Sequence, residues 1–217
     1  MKRCSVAVFT IGLTSLSSLA SLTRLTSSIV LFGSIALGGA LLSSRLAVAE
    51  PAHVQTHPPA AVWVNVPFIA QAKDGCGSAS ISMVMRYWDR KQGLPSAAAA
   101  DPAKIQKLLF SPSARGIYAS SMKNYFIHSG YQAFAFDGRW SDLEHHLALG
   151  RPLIVGIQPN GDFGPLHYVV VVGIDPQQGY VFVNDPAQQK MLRISQKGFE
   201  SEWRHTDHWT LLAVPAH

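Results

Sequence analysis

The chain has 217 residues, 47% hydrophobic and 14% charged, which is room for one domain with a sizeable core; nothing past position 50 marks a second. Its net charge of +5 comes mostly from one end, because Lys2, Arg3, Arg24 and Arg45 sit in residues 1–49, which hold no acid. Setting those four aside leaves 14 of the 18 Lys and Arg against 13 Asp and Glu, and a near-neutral domain without a Lys/Arg cluster lacks the basic stripe that nucleic-acid binding needs.

Residues 1–49 read as an export signal. The apolar run Ile29–Leu42 has the length of a signal-peptide core and is short for a membrane span, and Ala47-Val48-Ala49 fits the small-x-small rule, so cleavage is predicted between Ala49 and Glu50. Arg45 and a second apolar stretch, Val6–Leu19, keep an uncleaved anchor open as the alternative, with membrane contact through this segment alone. The predicted location is the periplasm, cell envelope or extracellular space. Cys4 leaves with the signal, so Cys76 is the one thiol of the mature protein and cannot form an internal bridge. In an exported protein such a thiol is exposed to oxidation, and its presence asks for catalysis, intermolecular pairing or burial as a reason.

Residues 50–62, with Pro51, Pro58 and Pro59, read as a flexible spacer before a domain spanning 63–217. Val62–Ile69 is strand-like, and Asp74-Gly75 is a turn signal directly before Cys76. A helix is predicted over Gly77–Trp88, with Cys76 at its amino terminus. Asp101-Pro102 caps and opens a helix to Leu109; Ser120 or Ser121 caps another through His128, closed by Gly130; a third runs Ser141–Leu149 to Gly150. Strands follow at Pro152–Ile157, His167–Ile174, Gly179–Asp185, Lys190–Ile194 and Thr210–Val214, with a helical turn over Ser195–Trp203. Helices first and an antiparallel sheet afterwards make an α+β order.

At a helix amino terminus the unpaired N–H groups and the dipole favour an anion, so Cys76 sits where a thiolate is favoured, and the small Gly77, Ser78 and Ala79 leave room beside it. A buried structural cysteine is the competing reading, which makes a base necessary. His167 begins the apolar strand HYVVVVGID, and GYVFVND returns antiparallel. A hairpin centred on Pro176 pairs Gly173 with Gly179, Val171 with Val181, Val169 with Val183, and His167 with Asp185. Opposed residues share a face, so Asp185 and not Asn184 is predicted to orient the imidazole. Gln71, five residues before Cys76, is within reach of the point where an oxyanion forms beside the Cys76 N–H.

VPFIAQAKDGCGSASISMVMRYW, GRPLIVGI and HYVVVVGIDPQQGYVFVNDPA, in that order, resemble the C39-type (bacteriocin-processing-like) cysteine peptidases, notably their stand-alone branch, over roughly Val64 to Val214. The resemblance implies a papain-like α+β fold, Gln71 as oxyanion glutamine, Cys76 as nucleophile, His167 as general base and Asp185 as third member. No transporter membrane or ATPase domain is recognisable, so leader-peptide processing is not carried over. The expected activity is hydrolysis of peptide bonds in a peptide or protein substrate. The alternatives are an amidase or transpeptidase acting on cell-wall peptides through the same site, and a non-catalytic peptide-binding module.

The remaining histidines are not read as ligands: His53 and His57 read as tail residues, and His145 and His146 as solvent-exposed helix residues. His145 and His146 point about 100° apart on one helix, and His205, His208 and Asp207 lie in a loop without a fourth convergent ligand. Neither a metal nor a nucleotide cofactor is expected.

Overall fold

A computed structural model of the chain describes residues 60–159 and 161–216. The predicted signal and all but the end of the predicted spacer lie outside the described residues. In chain order the elements are β1 (Val62–Trp63), α1 (Cys76–Lys91), α2 (Pro102–Leu109), α3 (Ala119–His128), β2 (Tyr131–Asp137), α4 (Trp140–Ala148), β3 (Leu153–Ile157), β4 (His167–Asp175), β5 (Tyr180–Asn184), β6 (Leu192–Ser195), α5 (Gln196–Trp203) and β7 (Trp209–Pro215), with short 3-10 turns between some of them. No helix among the described residues is long and apolar enough to cross a membrane.

The strands form one antiparallel sheet in the order β2-β7-β3-β4-β5-β6. β1 pairs Val62 with Ile174 and Trp63 with Gly173, and so continues along β4 where β3 ends at the Leu153–Val171 pair. β3 and the inner part of β4 are buried on both faces, which is why both read as continuous apolar runs rather than alternating ones. α1 packs on β4, α3 on β2, and α5 on β3, β5 and β6, with Phe199 and Trp203 of α5 fully buried.

α1 is the central helix, buried nearly all round. Its buried polar groups are each satisfied. Ser80 and Ser82 donate to the Tyr168 and Ala100 carbonyls, the Trp88 indole to the Ala213 carbonyl at 2.9 Å, and Asp89 accepts from the Ala97 N–H at 2.9 Å. Asp101 caps α2 as expected, accepting from the Ala103 and Lys104 N–H groups at 2.9 and 3.2 Å.

Four expectations need correction. The Val62–Ile69 piece is a strand only over Val62–Trp63; the chain from Val64 to Gly75 crosses the molecule without helix or ladder. α3 begins at Ala119, ahead of Ser120 and Ser121, and no side chain caps it. β2 was not expected at all. The β4/β5 register is also displaced: Val171 faces Val183, not Val181, and a bulge between Val171 and Gly173 moves the remaining pairs by one further residue. The displacement before the bulge is two residues, so face parity survives. His167 and Asp185 are therefore diagonal neighbours on one face instead of directly opposed.

Candidate active site

The connection Val64–Gly75 ends in a tight turn that delivers Cys76 as the first residue of α1. Asp74 takes φ 55°, the Gly75 N–H bonds the Ala72 carbonyl at 3.0 Å, and the Ser78 hydroxyl donates back to the Gly75 carbonyl at 3.0 Å. Neither a side-chain cap nor an acidic residue occupies the first turn, so its amide groups face the space beside the half-buried sulfur. Gly77 has a packing reason to be glycine, since a Cβ there would stand 3.1 Å from the Ile117 Cβ and 3.4 Å from the Met122 Cε.

Opposite stands His167, at the first position of β4. Its Nε2 donates to Asp185 Oδ1 at 2.7 Å, which leaves Nδ1 as the ring nitrogen not engaged by the carboxylate, and Cys76 lies on the same cleft. Burial alone would push the imidazole pKa down, but the Asp185 and Cys76 hydrogen bonds and their charge outweigh it and raise the value to about 9. Asp185 is almost wholly buried, immediately after β5. Its Oδ1 also accepts from the Ala187 N–H at 2.8 Å, and its Oδ2 from the Gln188 side chain at 2.6 Å. Burial acts to raise its pKa; the bonds from His167, Ala187 and Gln188 prevail and hold it below the ordinary 3.8. Asn184 points to the other face, donating to the Val66 carbonyl at 3.3 Å and accepting from the Met191 N–H at 3.0 Å.

Gln71 lies in the crossing segment, and its N–H bonds the Pro186 carbonyl at 2.9 Å, one residue after Asp185. Its Oε1 is buried with no hydrogen-bond partner among the described residues. Gln71, Cys76 and His167 line one cleft of about 340 Å³, completed by Asp74, Ala114, Arg115, Pro165 and Leu166. All four residues singled out in the sequence thus converge: three on the cleft and Asp185 behind the histidine. The arrangement provides a nucleophilic sulfur, a proton carrier, a carboxylate fixing the carrier's ring, and amide donors beside the sulfur.

Sequence reasoning missed two groups here. Gln188 was invisible as a partner of Asp185, although an Asp-Pro-Ala sequence signals a turn in which the carboxylate bonds a following N–H. Arg115 reaches the cleft from the Ser111–Gly116 loop, for which no element was expected. The other histidines stand apart in separate pairs: His205 Nδ1 with Asp162 Oδ1 at 2.8 Å, and His208 Nε2 with Glu200 Oε2 at 3.2 Å. His145 is exposed on α4, and beside it the buried His146 Nδ1 has no partner.

A helix-start cysteine facing a strand-borne histidine across a cleft is the layout of the papain-like fold, and solved structures of that class resemble this one. A protein described as a C39-like peptidase from Bacillus anthracis superposes with a TM-score of 0.57 at 17% identity, covering 72% of this chain and 98% of its own. The peptidase domain of Streptococcus ComA, a bifunctional ABC transporter of a quorum-sensing pathway, gives 0.53 at 21% identity, covering 68% and 97%. A double-glycine motif protease from an AMS/PCAT transporter, solved with its leader peptide, gives 0.50 at 21% identity, covering 71% and 95%. Comparison with curated proteins finds no match. The Peptidase_C39 like family matches residues 63–210, and the chain belongs to that family of cysteine peptidases.

Proposed function

We propose that this chain hydrolyses peptide bonds with Cys76 as nucleophile, His167 as acid and base, Asp185 as the group that fixes the imidazole, and Gln71 with the Cys76 N–H as oxyanion donors. The observation that carries this reading is the convergence of Gln71, Cys76 and His167 on one cleft, with His167 held from behind by its 2.7 Å bond to Asp185. Sulfur attacks the substrate carbonyl and the tetrahedral oxygen is held by the two N–H donors. The His167 imidazolium gives its Nδ1 proton to the leaving amine as the C–N bond breaks, leaving an acyl group on Cys76. Water, deprotonated by the same nitrogen, then releases that acyl group and restores the thiol pair. The place of Gln71 on the same cleft wall as Cys76 supports its part, with its side-chain NH2 as the donor. The mature domain is proposed to act after export and cleavage at Ala49, a point that mass measurement of the exported protein tests directly.

The test is labelling of Cys76 by iodoacetamide at pH 6 in wild type, His167→Ala and Asp185→Ala. The expected result is rapid labelling in wild type that is lost with His167 and slowed with Asp185. Slow labelling that neither substitution changes would sink the reading.

A further inference from the structure

Although the sequence shows no basic cluster, the fold assembles one beside Cys76. Arg115 lines the cleft itself. Asp74, on the cleft wall, is shared with an adjoining depression of about 460 Å³, whose walls include Lys73, Lys107 and Phe110. The three cations come from three separate places: the turn before α1, the face of α2, and the loop between α2 and α3. None of their side chains has a hydrogen-bond or ion-pair partner among the described residues, and the one acid between them, Asp74, lies within 4.0 Å of no described basic group.

Both supports of this rim are built. Gln106 donates to the Asp74 carbonyl at 3.2 Å and so fixes the Lys73-Asp74 turn against α2. Arg115 sits at φ 50°, a left-handed conformation that a side chain with a Cβ adopts only when its surroundings impose it. The loop imposes it through the paired Ser111–Gly116 backbone bonds at 2.8 and 3.3 Å, the Arg115 N–H to the Pro112 carbonyl at 3.2 Å, and a Ser111–Ser113–Tyr118 hydroxyl chain with both links at 2.9 Å. Held in this loop at the mouth of the cleft and without a side-chain partner among the described residues, the exposed Arg115 guanidinium is free to pair with a carboxylate.

We propose that this side of the cleft is a subsite for a substrate carboxylate, with Arg115 its principal contact and Lys73 and Lys107 reinforcing it, so that the peptidase selects peptides presenting a negative charge on the α2 side of the bond to be cut. The carboxylate comes either from an Asp or Glu side chain or from the free carboxyl terminus of the peptide. This inference rests on the peptidase reading above.

The full chain, as wild type, Arg115→Gln and Lys73→Gln/Lys107→Gln, is incubated with a proteome-derived peptide library, half of it amidated at the carboxyl terminus, and the cuts are read by mass spectrometry. A side-chain carboxylate gives Asp or Glu enriched at one fixed position from the cut in both halves. A terminal carboxylate gives cuts at a fixed distance from the chain end in the unamidated half alone. Either preference is expected to fall about tenfold in Arg115→Gln, as for loss of one charge-assisted hydrogen bond. Where peptides are cut, the lack of a carboxylate preference, or one that the substitutions leave intact, overturns the proposal. A second readout is independent of hydrolysis: the ratio of Cys76 alkylation rates by iodoacetate and by iodoacetamide. It is expected to drop severalfold in both variants at low salt and to be compressed at high salt, because the anionic reagent alone senses the rim. An unchanged ratio overturns the subsite. If no library peptide is cut while the ratio still responds, the peptidase reading fails and the anion subsite stands.

Discussion

Asp185 holds three donors on two oxygens, and that saturation governs His167. The imidazole value of about 9 lies above the free 6.5, so its proton stabilises the folded state fully below pH 6.5 and the contribution is lost as pH rises through about 9. Asp185 lies below 3.8 and contributes above that value, fading as acid protonates it. Chemical denaturation across pH is therefore expected to find the domain most stable between about pH 4 and 6.5. In the proposed reaction the imidazolium is the proton donor, so kcat/KM should decline as pH passes about 9. Asp185→Asn removes the charge that raises His167, and is expected to move that decline to lower pH and to reduce kcat. Gln188→Ala takes a donor from Asp185 Oδ2 alone, which leaves the carboxylate charge in place and strengthens its hold on the imidazolium, and should cause a smaller loss of kcat with a shift of the decline to higher pH. A pH profile unaltered by either substitution would separate Asp185 from the behaviour of His167.

At the scale of elements, what the sequence made legible was what depends on near neighbours. The Asp101-Pro102 cap, the glycine stops after α3 and α4 and the turn before Cys76 are local devices, and each is found within a residue or two of its expected position. The four candidate site residues were legible because their types and order matched a known pattern. The β4/β5 register was not, because the bulge at Val172 is set by how the hairpin sits on the sheet and leaves no mark in local periodicity. β2 escaped notice because it is an edge strand with only Ala133 fully buried, so its pattern lacks the regular alternation of a half-buried strand. The basic rim escaped because Lys73 lies far in sequence from Lys107 and Arg115, and its nearness to Lys107 is set by the packing of the turn on α2. Gly77→Val forces methyl groups against Ile117 and Met122, and is expected to destabilise the domain by about 1–3 kcal/mol and to slow Cys76 labelling as α1 shifts. Asn184→Ala strands the Val66 carbonyl and the Met191 N–H, with an expected loss of about 1–3 kcal/mol by urea unfolding.

For the whole molecule, one core unites the helices with the sheet, and the amino-terminal part of the domain is held to it by a thin ladder. A chain beginning at Ala60 is expected to keep the melting temperature of a chain beginning at Glu50. One beginning at Asn65 loses β1 and the 2.7 Å bond from the Val64 N–H to the Val172 carbonyl, and should melt several degrees lower. The bond from the Gln71 N–H to the Pro186 carbonyl acts as a strap across the jaw of the cleft. It ties the segment carrying the proposed amide donor to the turn after Asp185, so in the proposed reaction a cleft of about 340 Å³ suits an extended peptide rather than a bulky folded partner. Native globular proteins are therefore expected to survive exposure to this chain while their unfolded forms, tails and linkers are cut, which digestion of one substrate in its native and its denatured form checks.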